Sequence, residues 1–283
     1  MQSTVAPLRK SMNNTKIPTP TDRDLSVVII TFNEEKNIVR CIQHAKLVSN
    51  DIVVIDSGST DKTVSLAEQA GARVFIRQWN GYSEQKNFGN QLAQHNLVLS
   101  IDADEVVSYE LAYSIQKAIK NYQQGTAFEI NVLSKFENRF IYHGGWFPDW
   151  HMRLFEKKTA SWNKTDVHEY LRFSVPAKKI KLEGNLLHYT APDKKKFREK
   201  MKRYAILFAQ DKFEKGIKYS QVKKYVSPTF RFIKEYFFKM GFLDGKAGWN
   251  VANENLLYTF LKYKYLENLY KLSLVNQKQL SID

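Results

Sequence analysis

The 283-residue sequence predicts an α/β fold, a mostly parallel mixed sheet flanked by helices and followed by a helical, basic C-terminal extension. Three observations lead there. Short apolar runs alternate with helix-length amphipathic segments through the first half, each run leaves through a polar exit, and after His188 the sequence turns lysine-rich and helical.

Ser26–Thr31, SVVIIT, reads as the first strand, and the next segment keeps Ile38, Ile42, Ala45 and Leu47 near helical spacing. Asp51–Asp56, DIVVID, is a second strand, after which Ser59 or Thr60 is expected to cap a helix that ends at Gly71. Ala72–Arg77 gives a third strand, and a helix over Gly81–Gln94 returns the chain to Leu97–Ile101. Such alternation implies right-handed crossovers into a parallel sheet, whose carboxyl-end rim is where ligands sit. From Thr126, the runs AFEINVLSKF, RFIYHGG and HMRLFEKK predict mixed or antiparallel strands that extend the sheet and wall one side of its cleft. No internal repeat is found.

At 43% hydrophobic and 13% aromatic the chain can bury a substantial core. Its net charge of +14, from 43 Lys and Arg against 29 Asp and Glu, suits an anionic partner: nucleic acid, lipid headgroups or a phosphorylated substrate. The single cysteine, Cys41, excludes an intrachain disulfide framework and is expected to be buried packing. The N-terminal segment has no apolar core of signal-peptide length, and no run of about 18 apolar residues occurs. A cytoplasmic protein is therefore expected, with residues 1–24 as a polar lead-in containing Pro7, Pro18 and Pro20.

Three polar signals follow three apolar strands: Thr31-Phe-Asn33-Glu34, Asp56-Ser-Gly-Ser-Thr-Asp61 and Asp102-Ala-Asp104. All would face one crevice. Two acids at a strand end can hold a divalent cation and a polar ligand group, although a turn capped by Asp explains an isolated Asp-x-Asp equally well. Small Ser57, Gly58 and Ser59 let a ligand approach the backbone, and Asp56 can accept from a base N–H or a ribose hydroxyl.

SVVIITFNEEKNI, VVIDSGSTDKT and LSIDADE resemble the nucleotide-sugar-binding half of family 2 glycosyltransferases, inverting enzymes of the Rossmann-like GT-A fold. WNGYSEQKNFG, GGWFPDWHMRLFEKK, VHEYL and GFLDGKAGW resemble the branch that adds β-1,4-linked glucose to the lipopolysaccharide inner core, with UDP-glucose as donor and a heptose acceptor. The resemblance implies that Thr31, Asn33, Glu34 and Asp56 form the uridine pocket. Asp102 would belong to the ribose or metal shell, and Asp104 would bind Mg²⁺ or Mn²⁺. Lys86 is a candidate for the diphosphate or donor sugar, against a plain solvated lysine. His188 is a candidate metal or diphosphate ligand, against a core histidine.

An inverting displacement needs a base for the acceptor hydroxyl. The family usually supplies it from an acidic dipeptide; this sequence departs from that pattern and offers Val167-His168-Glu169. Glu169 is the expected base, with Asp149 and Asp166 as rivals. His168 would orient the base or touch the acceptor, if it is not structural. Trp146, Trp150 and Trp162 can stack on sugar faces or pack the core.

Between Lys194 and Lys239 fifteen Lys or Arg stand against four Asp or Glu, interleaved with aromatic residues. Helices of this composition suit an anionic membrane surface, the alternative being a helical pair with a solvated basic face. No nucleic-acid motif is found, which leaves a lipid-linked, phosphorylated glycan acceptor as the expected partner, and the resemblance implies a UDP-sugar as the other, met at the inner face of the bacterial inner membrane. A polyprenyl-linked or capsular glycan acceptor and a non-catalytic membrane or nucleic-acid binding protein are the alternatives. The expected layout is a lead-in over 1–24, the GT-A domain over 25–190, a basic helical region over 191–272 and a polar tail over 273–283. Gly241–Trp249 is expected as a turn, with a last helix through Leu257, Leu261 and Leu266 to about Tyr270.

Overall fold

A computed structural model of the chain describes residues 24–163, 170–191 and 194–280, so the lead-in but for Asp24 lies outside the described residues. The chain runs β1 (Leu25–Thr31), α1 (Ile38–Ala45), β2 (Asp51–Asp56), α2 (Thr63–Gln69), β3 (Arg73–Ile76), α3 (Tyr82–Leu92), β4 (Leu97–Asp102), β5 (Glu105–Val107) and α4 (Tyr109–Lys120). It continues through β6 (Thr126–Phe136), β7 (Arg139–Phe140), β8 (Trp150–Glu156), β9 (Ala160–Trp162), β10 (Leu171–Phe173) and β11 (Lys178–Ala191). Three helices close it: α5 (Lys194–Glu214), α6 (Gln221–Ile233) and α7 (Gly245–Leu280).

The main sheet has the order β3-β2-β1-β4-β8-β6-β11-β5, with β7 paired to β6. Strands β1 to β4 are parallel neighbours, β8 enters antiparallel between β4 and β6, and β11 runs parallel to β6. Parallel strands need both faces covered, and the wholly buried run of β1 meets that need. One face packs on α1 and α4 around Ile29, Ile42 and Leu111. On the other, α3 presses Gly89 onto the sheet, where an added Cβ would lie 2.3 Å from Val28 Cγ1.

The acid at the amino end of β2 shows what an internal role looks like. Asp51 accepts from Ser26 Oγ, the Gln94 N–H and Arg73, so it holds strands and a loop together. Asp56, at the opposite end, lies on the rim formed by the carboxyl ends of the parallel strands.

Three local expectations are corrected. Ser59 and Thr60 do not cap α2; Lys62 occupies the cap position, and Asp61 accepts from the Thr63 N–H, because Ser59 is turned to Asp56. Gly241–Trp249 is a 3-10 turn over Gly241–Asp244 that passes directly into α7. That last helix continues past Tyr270 through most of the expected tail to Leu280. The buried Cys41 agrees with expectation.

Replacing Gly89 by Ala is expected to lower stability by about 1–3 kcal/mol through overpacking, read as a fall in the urea midpoint with an unchanged m-value.

Candidate active site

The carboxyl ends of β1, β2 and β4 stand side by side, since Thr31 pairs with Asp56 and Ile30 with Asp102. The antiparallel β8 begins at this same rim, and β11 places His188 opposite both Ser134 of β6 and Glu105 of β5. Residues far apart in the chain therefore share one edge of the cleft.

The first two loops are knitted to each other. Asn33, in a left-handed conformation with φ 55°, donates its N–H to Ser59 Oγ and accepts the Thr60 N–H on its side chain. Asp56 is fully buried and takes the N–H groups of Gly58 and Ser59 and the Ser59 hydroxyl, so its carboxylate shapes the turn. Glu34 accepts from Asn37 Nδ2, and burial, reinforced by Asp104 and Asp61, outweighs that bond and raises its pKa.

The third loop concentrates charge. Asp104 Oδ2 lies 3.2 Å from His188 Nε2, and the Asp104 carbonyl accepts the Tyr189 N–H. Burial alone would lower the His188 pKa; Asp104, Glu105 and Asp102 outweigh it and hold the imidazole above its ordinary value. Lys86 is buried rather than solvated, with Nζ 3.4 Å from Asp102 Oδ1 and over the Trp162 ring. Burial pushes Asp102 up, but Lys86, Arg153 and His188 prevail and keep it below the usual carboxylate range.

Sequence reasoning missed the support beneath this loop. Glu105, fully buried, accepts the Asp102 N–H on one oxygen and Arg153 Nη2 at 2.6 Å on the other. Burial raises its pKa despite Arg153. An arginine between the apolar Met152 and Leu154 in the strand sequence HMRLFE was the available signal. Arg40 was missed too; its guanidinium stacks 3.5 Å from the centre of the Tyr189 ring, a contact that the helical spacing of α1 does not reveal.

Of the remaining candidates, Asp149 sits on the rim at the start of β8, with one oxygen 3.0 Å from His151 Nε2. Glu169, Asp166 and His168 lie outside the described residues. Trp146 packs with Phe136 and Phe197, and Trp162 with Phe155, so both belong to the core; Trp150 lies under Lys181.

The Glycosyl transferase family 2 profile matches residues 26–178, more than half of the chain and the whole rim described above except β11. The chain belongs to glycosyl transferase family 2. Like the chain as a whole, its similarity to relatives extends beyond the matched domain. It is 31% identical to a glycosyltransferase of Rickettsia bellii over 89% of this chain and 88% of that one. It is 26% identical to the lipopolysaccharide core biosynthesis glycosyltransferase LpsC of Rhizobium meliloti, over 84% and 89%. Among solved structures, glucosyl-3-phosphoglycerate synthase of Mycobacterium tuberculosis, crystallised with Mn²⁺, UDP and glucosyl-3-phosphoglycerate, is 24% identical with a TM-score of 0.33. That match covers 40% of this chain and 44% of the other.

The rim of this family 2 glycosyltransferase has room for ligand groups. Thr31 Oγ1 is buried without a hydrogen-bond partner among the described residues. Gly58, at φ +90°, has nothing within 4 Å of the position a Cβ would take. For a cation, Asp104 and His188 supply an oxygen and a nitrogen, whereas Asp102 faces Lys86. No group of three acid, histidine or cysteine side chains that could hold a metal ion occurs among the described residues.

Replacing Arg153 by Met is expected to destabilise the fold by about 3–5 kcal/mol, because Glu105 would be left as an uncompensated buried charge. Glu105 then binds its proton more tightly folded than unfolded. The deficit is therefore largest near neutral pH and shrinks as pH falls through the raised Glu105 pKa, a trend that urea melts across that range measure.

Proposed function

We propose that this family 2 enzyme transfers glucose from UDP-glucose, with inversion, to a sugar of the lipopolysaccharide inner core, the acceptor being a heptose. The observation that carries the transferase chemistry is the Asp104–His188 pair on the same rim as the buried Lys86–Asp102 pair. Support for the acceptor class comes from the similarity to LpsC along most of both chains. UDP-galactose or a UDP-N-acetylhexosamine with a polyprenyl-linked or capsular acceptor is the second reading of the same site.

In this reading uridine lies against Thr31, Asn33, Glu34 and the Asp56 turn. Thr31 Oγ1, buried and without a partner among the described residues, is available to it. Asp102, kept ionised by Lys86, accepts from a ribose hydroxyl, and Lys86 sets a fixed positive charge near the diphosphate. A divalent cation, Mg²⁺ or Mn²⁺, held by Asp104 and His188 would supply positive charge against the negative charge on the departing diphosphate. The acceptor oxygen bonds to the anomeric carbon as the bond to the UDP oxygen breaks, and its proton passes to a base. We assign that base to Glu169, with Asp149 as the described rival and Asp166 as the other.

The C-terminal helices support peripheral binding to an anionic membrane. Among the described residues no helix is long and apolar enough to cross a membrane. Aromatic residues of the basic segment divide between two roles. Phe208, Phe213 and Tyr219 pack against α7, through Tyr263 and Tyr270. Val222, Val226, Phe230, Ile233 and Phe237 instead form an exposed stripe at helical spacing along α6 and the turn after it. Lys223, Lys234 and Lys239 lie exposed beside the stripe, where anionic headgroups would pair with them.

Release of UDP from a panel of UDP-sugars with truncated core glycolipid tests the chemistry. UDP-glucose is expected to be turned over, and Glu169→Gln to lower kcat by about 10²–10⁴-fold. Asp104→Asn is expected to raise the Mn²⁺ concentration needed for half-maximal rate. Full activity in Glu169→Gln would move the base to Asp149 or Asp166. For the membrane face, Phe230→Ser with Phe237→Ser should weaken binding to phosphatidylglycerol vesicles about tenfold or more. Unchanged vesicle binding would remove α6 from the interface.

A further inference from the structure

A second basic concavity lies beyond the donor rim. A cavity of about 970 Å³ opens between the β6–β7 turn and the first turns of α5 and α7, lined by Arg139, Lys194, Lys195, Arg198 and Lys246. Its volume is near the top of the range for small-molecule sites, large enough for a phosphorylated sugar. Its floor is apolar and fixed: Phe136 and Ala247 belong to a buried cluster with Phe197 and Val251.

The charges on its walls run against ordinary helix design. Helix amino ends carry partial positive charge and favour acids in the first turn. Here α5 opens with Lys194 and Lys195 and α7 with Gly245 and Lys246, and neither first turn contains an acid. Asp244, just before α7, is occupied by the His143 N–H and ring, and Asp193, before α5, lies outside the described residues. Glu254 is matched by both Arg198 and Lys194, which leaves Glu137 as the acid on the cavity wall. Arg139 and Lys246 are exposed and form no ion pair among the described residues. Arg139 and Lys246 thus stand at this cavity beside two helix amino ends with no carboxylate paired to them among the described residues, a setting that favours an anion.

The cavity is also placed for the reaction. Phe136 on its floor is two residues along β6 from Ser134, the register partner of His188, a step of about 7 Å. Tyr189, next to His188, stacks edge-on with Phe140 of β7, which joins the rim to the cavity turn.

We propose that this cavity is a second anion site that takes a phosphate ester on the acceptor glycolipid, orienting the acceptor sugar toward the rim. Assignment to the acceptor rests on the transferase reading above; the cavity as a phosphate site does not. The test compares the full chain with its Arg139→Gln, Lys246→Gln double variant, both cations being exposed and outside the core.

Titration with inorganic phosphate, followed by ³¹P NMR without donor or metal, is expected to show saturable binding that weakens at least about tenfold in the double variant. Equal binding by both proteins, or none by the wild type, overturns the site. With truncated core glycolipid, native or phosphatase-treated, the wild type is expected to prefer the phosphorylated form and the variant to lose that preference. A rise in KM for UDP-glucose instead would assign the cavity to the donor diphosphate and overturn the proposal. If phosphate binding falls while acceptor preference stays and phosphatidylglycerol vesicle binding drops, the site stands and its phosphate is a lipid headgroup. No turnover of either acceptor by the wild type would sink the acceptor reading and leave the phosphate titration to decide the cavity alone.

Discussion

The ion pair between Glu105 and Arg153 underlies the geometry of the whole rim. Glu105 sits one residue beyond the Asp102-Ala-Asp104 turn and is fully buried, so its charge needs a partner inside the protein. Arg153 can supply one only because β8 enters between β4 and β6 and runs antiparallel to both. With its second oxygen Glu105 fixes the Asp102 N–H, which sets the direction of the loop. The pair therefore couples a strand insertion to the orientation of two carboxylates, and its cost in desolvation is offset by those contacts.

Charge near that turn is sorted by neighbours more than by identity. Asp102 and Asp104 differ by two positions yet meet different partners, Lys86 from α3 and His188 from β11. The first pair gives a stably ionised acceptor. The second sets a carboxylate oxygen 3.2 Å from an imidazole nitrogen. The second arrangement depends on β11 lying between β5 and β6, and the first on α3.

The alternating half of the fold was legible because its information is local. Period-two and period-3.6 patterns place β1 through β4 within a residue or two, and the polar exits mark the rim. Long-range pairing left less trace. Nothing local in KKIKLEGNLLHYTA shows that it joins β6 in parallel, and the burial of Lys86 depends on Trp162 and Asp102, which fold onto it from elsewhere. The cap of α2 was misread because Ser59 had a stronger competitor in Asp56. The end of α7 was misread because LVNQKQL lacks an apolar stripe while containing residues that favour helix.

The C-terminal helices are packed onto the loop that precedes β8. Glu235, buried after α6, bonds Arg231 and Asn255 and lies so close to the Gly144-Gly145 loop that a Cβ on Gly145 would come within 2.4 Å of its carboxyl carbon. His143 is held by Asp244, and the Gly144 N–H by the Lys239 carbonyl. That loop leads directly to Asp149 and β8, so packed contacts connect the helices to the rim. A glycine is required at 145 because the carboxylate needs that space, not because the turn demands an unusual φ. Consequently, the α6 stripe is tied to the start of β8 through packed side chains and backbone hydrogen bonds around Glu235, Asp244 and Lys239.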